Sequence, residues 1–212
     1  MKLLKLHREN NRQAFVSAIR ILEKGGIIAY PTETFYALGV KFDLLGSLGN
    51  LYEIKKRPRE KALPLIIGKR EMLGLVAAPV SKKTLSLMDR FWPGPLTLIL
   101  AAKENLSEYL TAGTHTVAVR IPGRSFALDL ARAVDFPITA TSANISGMPP
   151  AQDAATVVQY FGNAIDLVVD GGRTPGGNPS TIADVTGKDF QILREGAIGK
   201  EVFYKFAGGS GN

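Results

Sequence analysis

Strand-length apolar runs alternate along this chain with stretches in which apolar residues recur every three or four positions, and glycine or proline punctuates most of the changes. A period that keeps switching between two and 3.6 points to an α/β architecture, with helices covering a sheet. The first strand is predicted at residues 3–7. Asn10 or Asn11 then offers a helix cap, and Phe15, Ala18, Ile19 and Leu22 share a helical face until Gly25 and Gly26 stop it. Residues 27–30 read as a buried strand closed by Pro31. A helix follows at 45–55, with Leu48, Leu51, Tyr52 and Lys55 on one face, and Pro58 forbids its continuation. Further strands are predicted at 65–67, 96–101, 116–121, 137–141, 167–169, 181–185 and 190–194. Helical stretches are predicted between 69 and 90, at 125–134 and at 154–161. No internal repeat or linker interrupts residues 1–206, which are expected to form one domain. The low-complexity tail 207–212 is expected to be loose.

Composition removes several chemistries. The 212 residues include no cysteine and only two histidines, His7 and His115, far apart in the chain. Disulfides, thiolate nucleophiles and cysteine-based metal sites are therefore excluded, and no protein metal ligand is nominated. The longest apolar run, 96–102, is interrupted by Thr97 and is far short of the roughly 20 residues a membrane span needs. Charges are threaded through the opening MKLLKLHRENNRQ, so no secretory signal is expected and cytoplasm is the expected compartment. A formal charge of +7 suits either nucleic acid or a phosphate-rich small ligand. The densest cationic patch is 55–61: Lys55, Lys56, Arg57, Arg59 and Lys61 around Pro58 and Glu60.

Three loops hold polar residues that a core does not require. Pro31-Thr32-Glu33-Thr34 follows a buried strand, where ligands of α/β proteins tend to bind, although a capped turn would look the same. The basic patch is the second. A solvated surface is the usual fate of a charge run, but Pro58 and the return to Leu63-Pro64-Leu65-Ile66 anchor this one on both sides, and arginine and lysine suit phosphate oxygens. Thr141-Ser142-Ala143-Asn144 with Ser146-Gly147 is the third, a turn whose hydroxyls, amide and backbone N–H groups could cradle an anion. Walker A and GxGxxG patterns are absent, as is GxSxG, and the lone His115 in a loop reads first as a surface residue. What remains is catalysis by positioning and charge neutralisation, which suits phosphoryl and nucleotidyl transfer.

Seven segments in order carry a resemblance: Tyr30-Pro-Thr-Glu-Thr34 with Tyr36 and Leu38-Gly39; Ile54 to Pro58; Phe91 to Thr97; Val117 to Pro122; Thr141 to Gly147; Ser180-Thr181-Ile182; and Ile192 to Gly196. Together they resemble the YrdC-domain threonylcarbamoyl-AMP synthases, over about residues 22–198. The resemblance implies an α/β three-layer domain with a twisted mixed sheet of about seven strands and an open basic cleft. It also implies a reaction joining L-threonine, bicarbonate and ATP into L-threonylcarbamoyl-adenylate with release of pyrophosphate. Mg2+ would be bound mainly through the ATP phosphates. The product would pass to a threonylcarbamoyl-transferase complex that modifies tRNA. By position in the motifs, Lys55, Arg57, Ser142 and Asn144 would form the reacting centre. Lys55, Arg59, Thr116, Ser142, Pro150 and Arg194 would bind ATP, and Thr32, Arg120, Ala140 and Ser180 would bind threonine, with Arg120 on the carboxylate.

Phe35 and Ala37 depart from the family's usual Val and Gly, and Asn178-Pro179 stands where Val-Glu is common, beside the implied threonine site. Longer relatives carry a second domain, so a chain of this length is expected to be the short form, with a more open active site. The rival reading is a non-catalytic protein presenting the same basic face to double-stranded RNA or tRNA. Phosphate binding alone would need neither Thr32 nor the Ser142–Asn144 pair.

Overall fold

A computed structural model describes residues 1–7 and 11–207. Its strands are β1 (Lys2–Lys5), β2 (Ile28–Pro31), β3 (Tyr36–Gly39), β4 (Leu65–Ile66), β5 (Leu96–Ala101), β6 (Thr116–Arg120), β7 (Ile138–Thr139), β8 (Thr141–Ser142), β9 (Leu167–Asp170), β10 (Thr181–Asp184) and β11 (Gln191–Arg194). Its helices are α1 (Arg12–Glu23), α2 (Leu45–Lys55), α3 (Lys82–Phe91), α4 (Glu108–Thr111), α5 (Phe126–Ala133), α6 (Ala154–Phe161) and α7 (Lys200–Ala207). Asn11 caps α1 by position but makes no side-chain cap bond, and Asn10 lies outside the described residues. Ala207, expected to open the loose tail, instead closes α7 and is buried; residues 208–212 lie outside the described residues.

The fold is mixed α/β, as expected, but the single sheet of about seven strands is replaced by two mixed sheets among the described residues. One runs β1-β9-β2-β3-β8 and the other β11-β10-β5-β6-β4-β7. The reason lies at Ala140. The predicted strand 137–141 is divided there: β7 pairs antiparallel with β4, while β8 pairs antiparallel with β3 in the other sheet. Two residues on each side commit their ladder hydrogen bonds to different neighbours, so one continuous strand cannot form. The N–H of Ala140 itself donates to the Pro64 carbonyl at 2.9 Å.

The two sheets are stitched where they meet. Lys41 bridges Ile138, the Thr139 N–H donates to the Val40 carbonyl at 3.0 Å, and the Val40 N–H donates to Thr139 Oγ1 at 3.0 Å. The buried Tyr30 hydroxyl reaches from β2 and donates to the Thr139 carbonyl at 2.9 Å; its burial pushes the phenol pKa up, keeping it a donor.

Side-chain alternation then sorts the core into two clusters. In β2, Ile28 and Tyr30 join one and Ala29 the other; in β9, Leu167 and Val169 are parted from Val168; in β4, Ile66 from Leu65. The first cluster is covered by α1 and α5, where Phe15 stacks on Phe126 with ring centroids 4.5 Å apart. Apolar residues of α2, α3, α6 and α7 belong to the second. Residues of β3, β4, β5, β6, β8, β10 and β11 line a common cavity. No helix among the described residues is long and apolar enough to cross a membrane.

Tyr30→Phe removes the hydroxyl that ties β2 to β7 and should cost about 1 kcal/mol of stability, as buried neutral hydrogen bonds usually do. Urea unfolding at pH 7 should show a lower midpoint at unchanged slope.

Candidate active site

The cavity has a volume of about 550 Å³. Its walls combine the loop after β2 (Thr32, Thr34, Phe35), the return from the basic patch (Arg57, Ala62, Pro64), the β5–β6 surface (Thr97, Ile99, Ala118, Arg120) and the β7–β8 break (Ala140, Thr141, Ser142). Tyr36, Ala37, Leu65, Pro150, Pro179, Ser180, Ile182 and Arg194 complete it. Among the described residues, three guanidinium groups line it and no aspartate or glutamate does.

Lys55 holds the Ser142–Asn144 loop from behind. It is the last residue of α2, 1% exposed, and its Nζ donates to the Ser142 carbonyl at 2.5 Å and the Asn144 carbonyl at 2.6 Å. The Lys55 carbonyl in turn accepts the Ser146 N–H at 2.8 Å. Within the loop, Ser142 Oγ donates to Asn144 Oδ1 at 2.5 Å, and Asn144 Nδ2 donates to the carbonyls of Ile145 and Met148 at 3.0 and 2.7 Å. Ser142 remains exposed at the cavity, whereas Asn144 is buried and acts on its neighbours. Burial, and then the nearby Arg57 charge, push the Lys55 pKa down to about 7.

The arginines are fixed by backbone oxygens or by a carboxylate. Lys56 takes a left-handed conformation (φ 48°) that ends α2 and turns Arg57 back. Arg57 Nε donates to the Lys61 carbonyl at 2.8 Å and its Nη2 to the Ala62 carbonyl at 2.7 Å. Arg194 donates from Nε and Nη2 to the Ser180 carbonyl at 3.2 and 2.8 Å, and Ser180 Oγ lies 2.9 Å from Thr97 Oγ1. Burial and then Arg120 push the Arg194 pKa down, without threatening a charge whose ordinary value is so high. Arg120 pairs with Glu33. The Thr32 hydroxyl is engaged in its own turn, donating to the Phe35 carbonyl at 2.7 Å and accepting from the Thr34 N–H at 3.1 Å.

The chain that builds this cavity has counterparts in sequence and in fold. The profile of the Sua5/YciO/YrdC family, described as "Telomere recombination", matches residues 20–196. The chain belongs to the Sua5/YciO/YrdC family. Threonylcarbamoyl-AMP synthases of Pyrococcus abyssi and Vibrio parahaemolyticus are similar to it, at 37% identity over 191 residues and 32% over 184. The alignments cover 90% and 86% of this chain, and 56% and 98% of those proteins. The chain thus spans little more than half of the Pyrococcus relative's length and nearly all of the Vibrio one's. The crystal structure of P. abyssi Sua5 complexed with L-threonine superposes with a TM-score of 0.92 at 34% identity, over 97% of this chain and 61% of that one. E. coli YciO superposes at 0.85 with 26% identity, over 96% of this chain and the whole of that one.

Within this family fold, the residues nominated from the motifs separate into groups. Thr32, Arg57, Arg120, Ala140, Ser142, Pro150, Ser180 and Arg194 meet in the cavity. Lys55 and Asn144 stand behind its wall, so Lys55 does not share the solvated surface that is the usual fate of a charge run: the face of α2 that carries Leu48, Leu51 and Tyr52 carries Lys55 into the interior with them. Arg59 does not reach the cavity either. Its guanidinium lies 4.9 Å from the Tyr109 ring centroid and 5.6 Å from that of Tyr52, held by attraction to the two faces, beside a separate concavity. Thr116 is likewise outside the cavity lining, with its hydroxyl 2.8 Å from that of Thr114. Two residues lie inside the motifs but received no role from them: Thr97, visible as the one polar residue inside the apolar run of β5, and Glu33, visible as a carboxylate directly after Thr32.

The Lys55 pKa makes a pH prediction. Between about 7 and the ordinary lysine value of 10.5, the unfolded chain binds the proton and the folded chain does not, so stability contributed through this residue rises with pH across that window. Lys55→Met should destabilise the protein by about 3 kcal/mol, since it strips two carbonyls of their buried donor. In urea titrations the wild-type advantage over this variant should widen between pH 7 and pH 9.5; a constant difference would assign Lys55 an ordinary pKa.

Proposed function

We propose that the protein is an L-threonylcarbamoyl-adenylate synthase, using L-threonine, bicarbonate and ATP and releasing pyrophosphate. The observation that carries this reading is the convergence of Arg57, Ser142, Arg120 and Ser180 on a single cavity whose lining includes no carboxylate. Such walls suit anions: a triphosphate against Arg57, Arg194 and Ser142, and an amino-acid carboxylate against Arg120. The names of the relatives and of the threonine-bound neighbour point the same way.

The chemistry asks little covalent help of the protein. Threonine's amine and bicarbonate form a carbamate with loss of water. One carbamate oxygen then attacks the α-phosphorus, and the bond from that phosphorus to the pyrophosphate oxygen breaks. The chain's residues hold two anions in line and absorb the charge that builds on the phosphate oxygens. Arg57 is prepared for this because its Nε and one Nη are already braced on carbonyls. Mg2+, which neutralises phosphate charge when bound, fits a site of hydroxyls and carbonyls only as an ion carried in by the triphosphate and water, so no protein ligand is assigned to it. We place the reaction in the cytoplasm, with its labile acyl-adenylate consumed by a threonylcarbamoyl-transferase complex acting on tRNA.

Pyrophosphate release from ATP, Mg2+ and bicarbonate should require L-threonine. Release that ignores threonine, or none, together with tight salt-dependent binding of double-stranded RNA, would favour the non-catalytic reading. Ser142→Ala should lower kcat about 100-fold with a stability loss of only about 1 kcal/mol, because the residue is exposed at the cavity and gives up one hydrogen bond, to Asn144 Oδ1. Arg120→Met should raise the KM for threonine at least roughly tenfold and leave that for ATP nearly unchanged.

A further inference from the structure

Glu33 lies outside the cavity lining, yet its Oε1 accepts from Nη1 of Arg120 at 2.5 Å. Both side chains are largely enclosed, at 11% exposure for Arg120 and 18% for Glu33. Glu33 Oε2 is buried and has no hydrogen-bond partner among the described residues. Its side chain packs against the backbone at Gly123, where an added Cβ would lie 3.4 Å from Glu33 Cγ. A carboxylate in this setting is held against its desolvation cost chiefly by one guanidinium, and that guanidinium has no other side-chain partner among the described residues. The pair therefore fixes the rotation of Arg120 through one N–H and leaves its remaining donors for whatever enters the cavity.

We propose that Glu33 is a positioning residue for Arg120, setting the orientation in which the guanidinium presents its free N–H groups to a substrate carboxylate. The proposal rests on the reading of Arg120 as the carboxylate partner of threonine. It runs against simple electrostatics, and this makes it testable. If Glu33 acted only as a nearby negative charge, neutralising it would strengthen binding of an anion. If it acts by aiming Arg120, neutralising it weakens binding although the cavity becomes more positive.

The experiment measures L-threonine and ATP binding by titration calorimetry for the wild type, Glu33→Gln, Arg120→Met and the double variant, with threonine KM and kcat from pyrophosphate release. Glu33→Gln should weaken threonine binding roughly tenfold, the loss expected when a charge-assisted contact is misaimed, and leave ATP binding and kcat near wild type. In the Arg120→Met background the same change should have no further effect, since Glu33 would have nothing left to aim. Should the amide variant not fold, Glu33→Asp, which keeps the charge but draws it back by one methylene, reads the same quantity. Unchanged or tighter threonine binding, an equal loss of ATP affinity, or a loss that adds to that of Arg120→Met would overturn the proposal. Absence of threonine binding by the wild type would instead bring down the amino-acid reading and this proposal with it.

Discussion

The cavity depends on one buried cation. Lys55 carries a positive charge, or a neutral amine at higher pH, into a region where no carboxylate among the described residues meets it, and two main-chain carbonyls of a single loop take that role. The Ser142 carbonyl also accepts the Asn144 N–H at 2.9 Å, so both of its lone pairs are used, and the loop from Ser142 to Asn144 is held from within and from behind. The reverse bond, from the Ser146 N–H to the Lys55 carbonyl, ties the same loop to the end of α2. Helix end and loop become one rigid body, and Ser142 reaches the cavity from a fixed platform.

That arrangement was half legible in the sequence. The helical spacing that places Leu48, Leu51 and Tyr52 on a buried face places Lys55 there too, and the periodicity already contradicts the exposure suggested by five cations in a run. Charge density is a property of a segment, burial a property of each side chain's direction, and the two part company where a helix ends. Arg57 and Arg59 show the consequence: two positions apart, one turns into the cavity and the other lies over tyrosine rings outside it.

The strands tell a similar story. Most apolar runs became strands within a residue or two of their predicted limits, because burial on both faces selects such runs directly. The strand Tyr36–Gly39 was not expected, since its small and aromatic residues alternate too weakly to announce it; it is made by pairing with β2 and β8. Nor does the sequence from 137 to 141 indicate that its two halves belong to different sheets. Which edge a residue pairs with is decided by distant partners, here Leu65 and Leu38, and no local pattern contains them. The α4 turn at Glu108–Thr111 is too short for its period to register.

The three arginines of the cavity differ in what stands behind them, and the difference bears on what each can recognise. Arg57 and Arg194 are braced on carbonyls, dipoles that orient a guanidinium while leaving its net charge whole, as a highly charged phosphate chain demands. Arg120 is braced on Glu33, so the pair approaches the cavity nearly neutral and offers directed N–H groups more than field. A carboxylate with a single charge and a fixed bite is well served by direction; a triphosphate is well served by charge. Were all three arginines backed by carbonyls, the cavity would attract phosphate at every corner, and in the proposed reaction the amino acid's carboxylate would have to compete with phosphate for its own site.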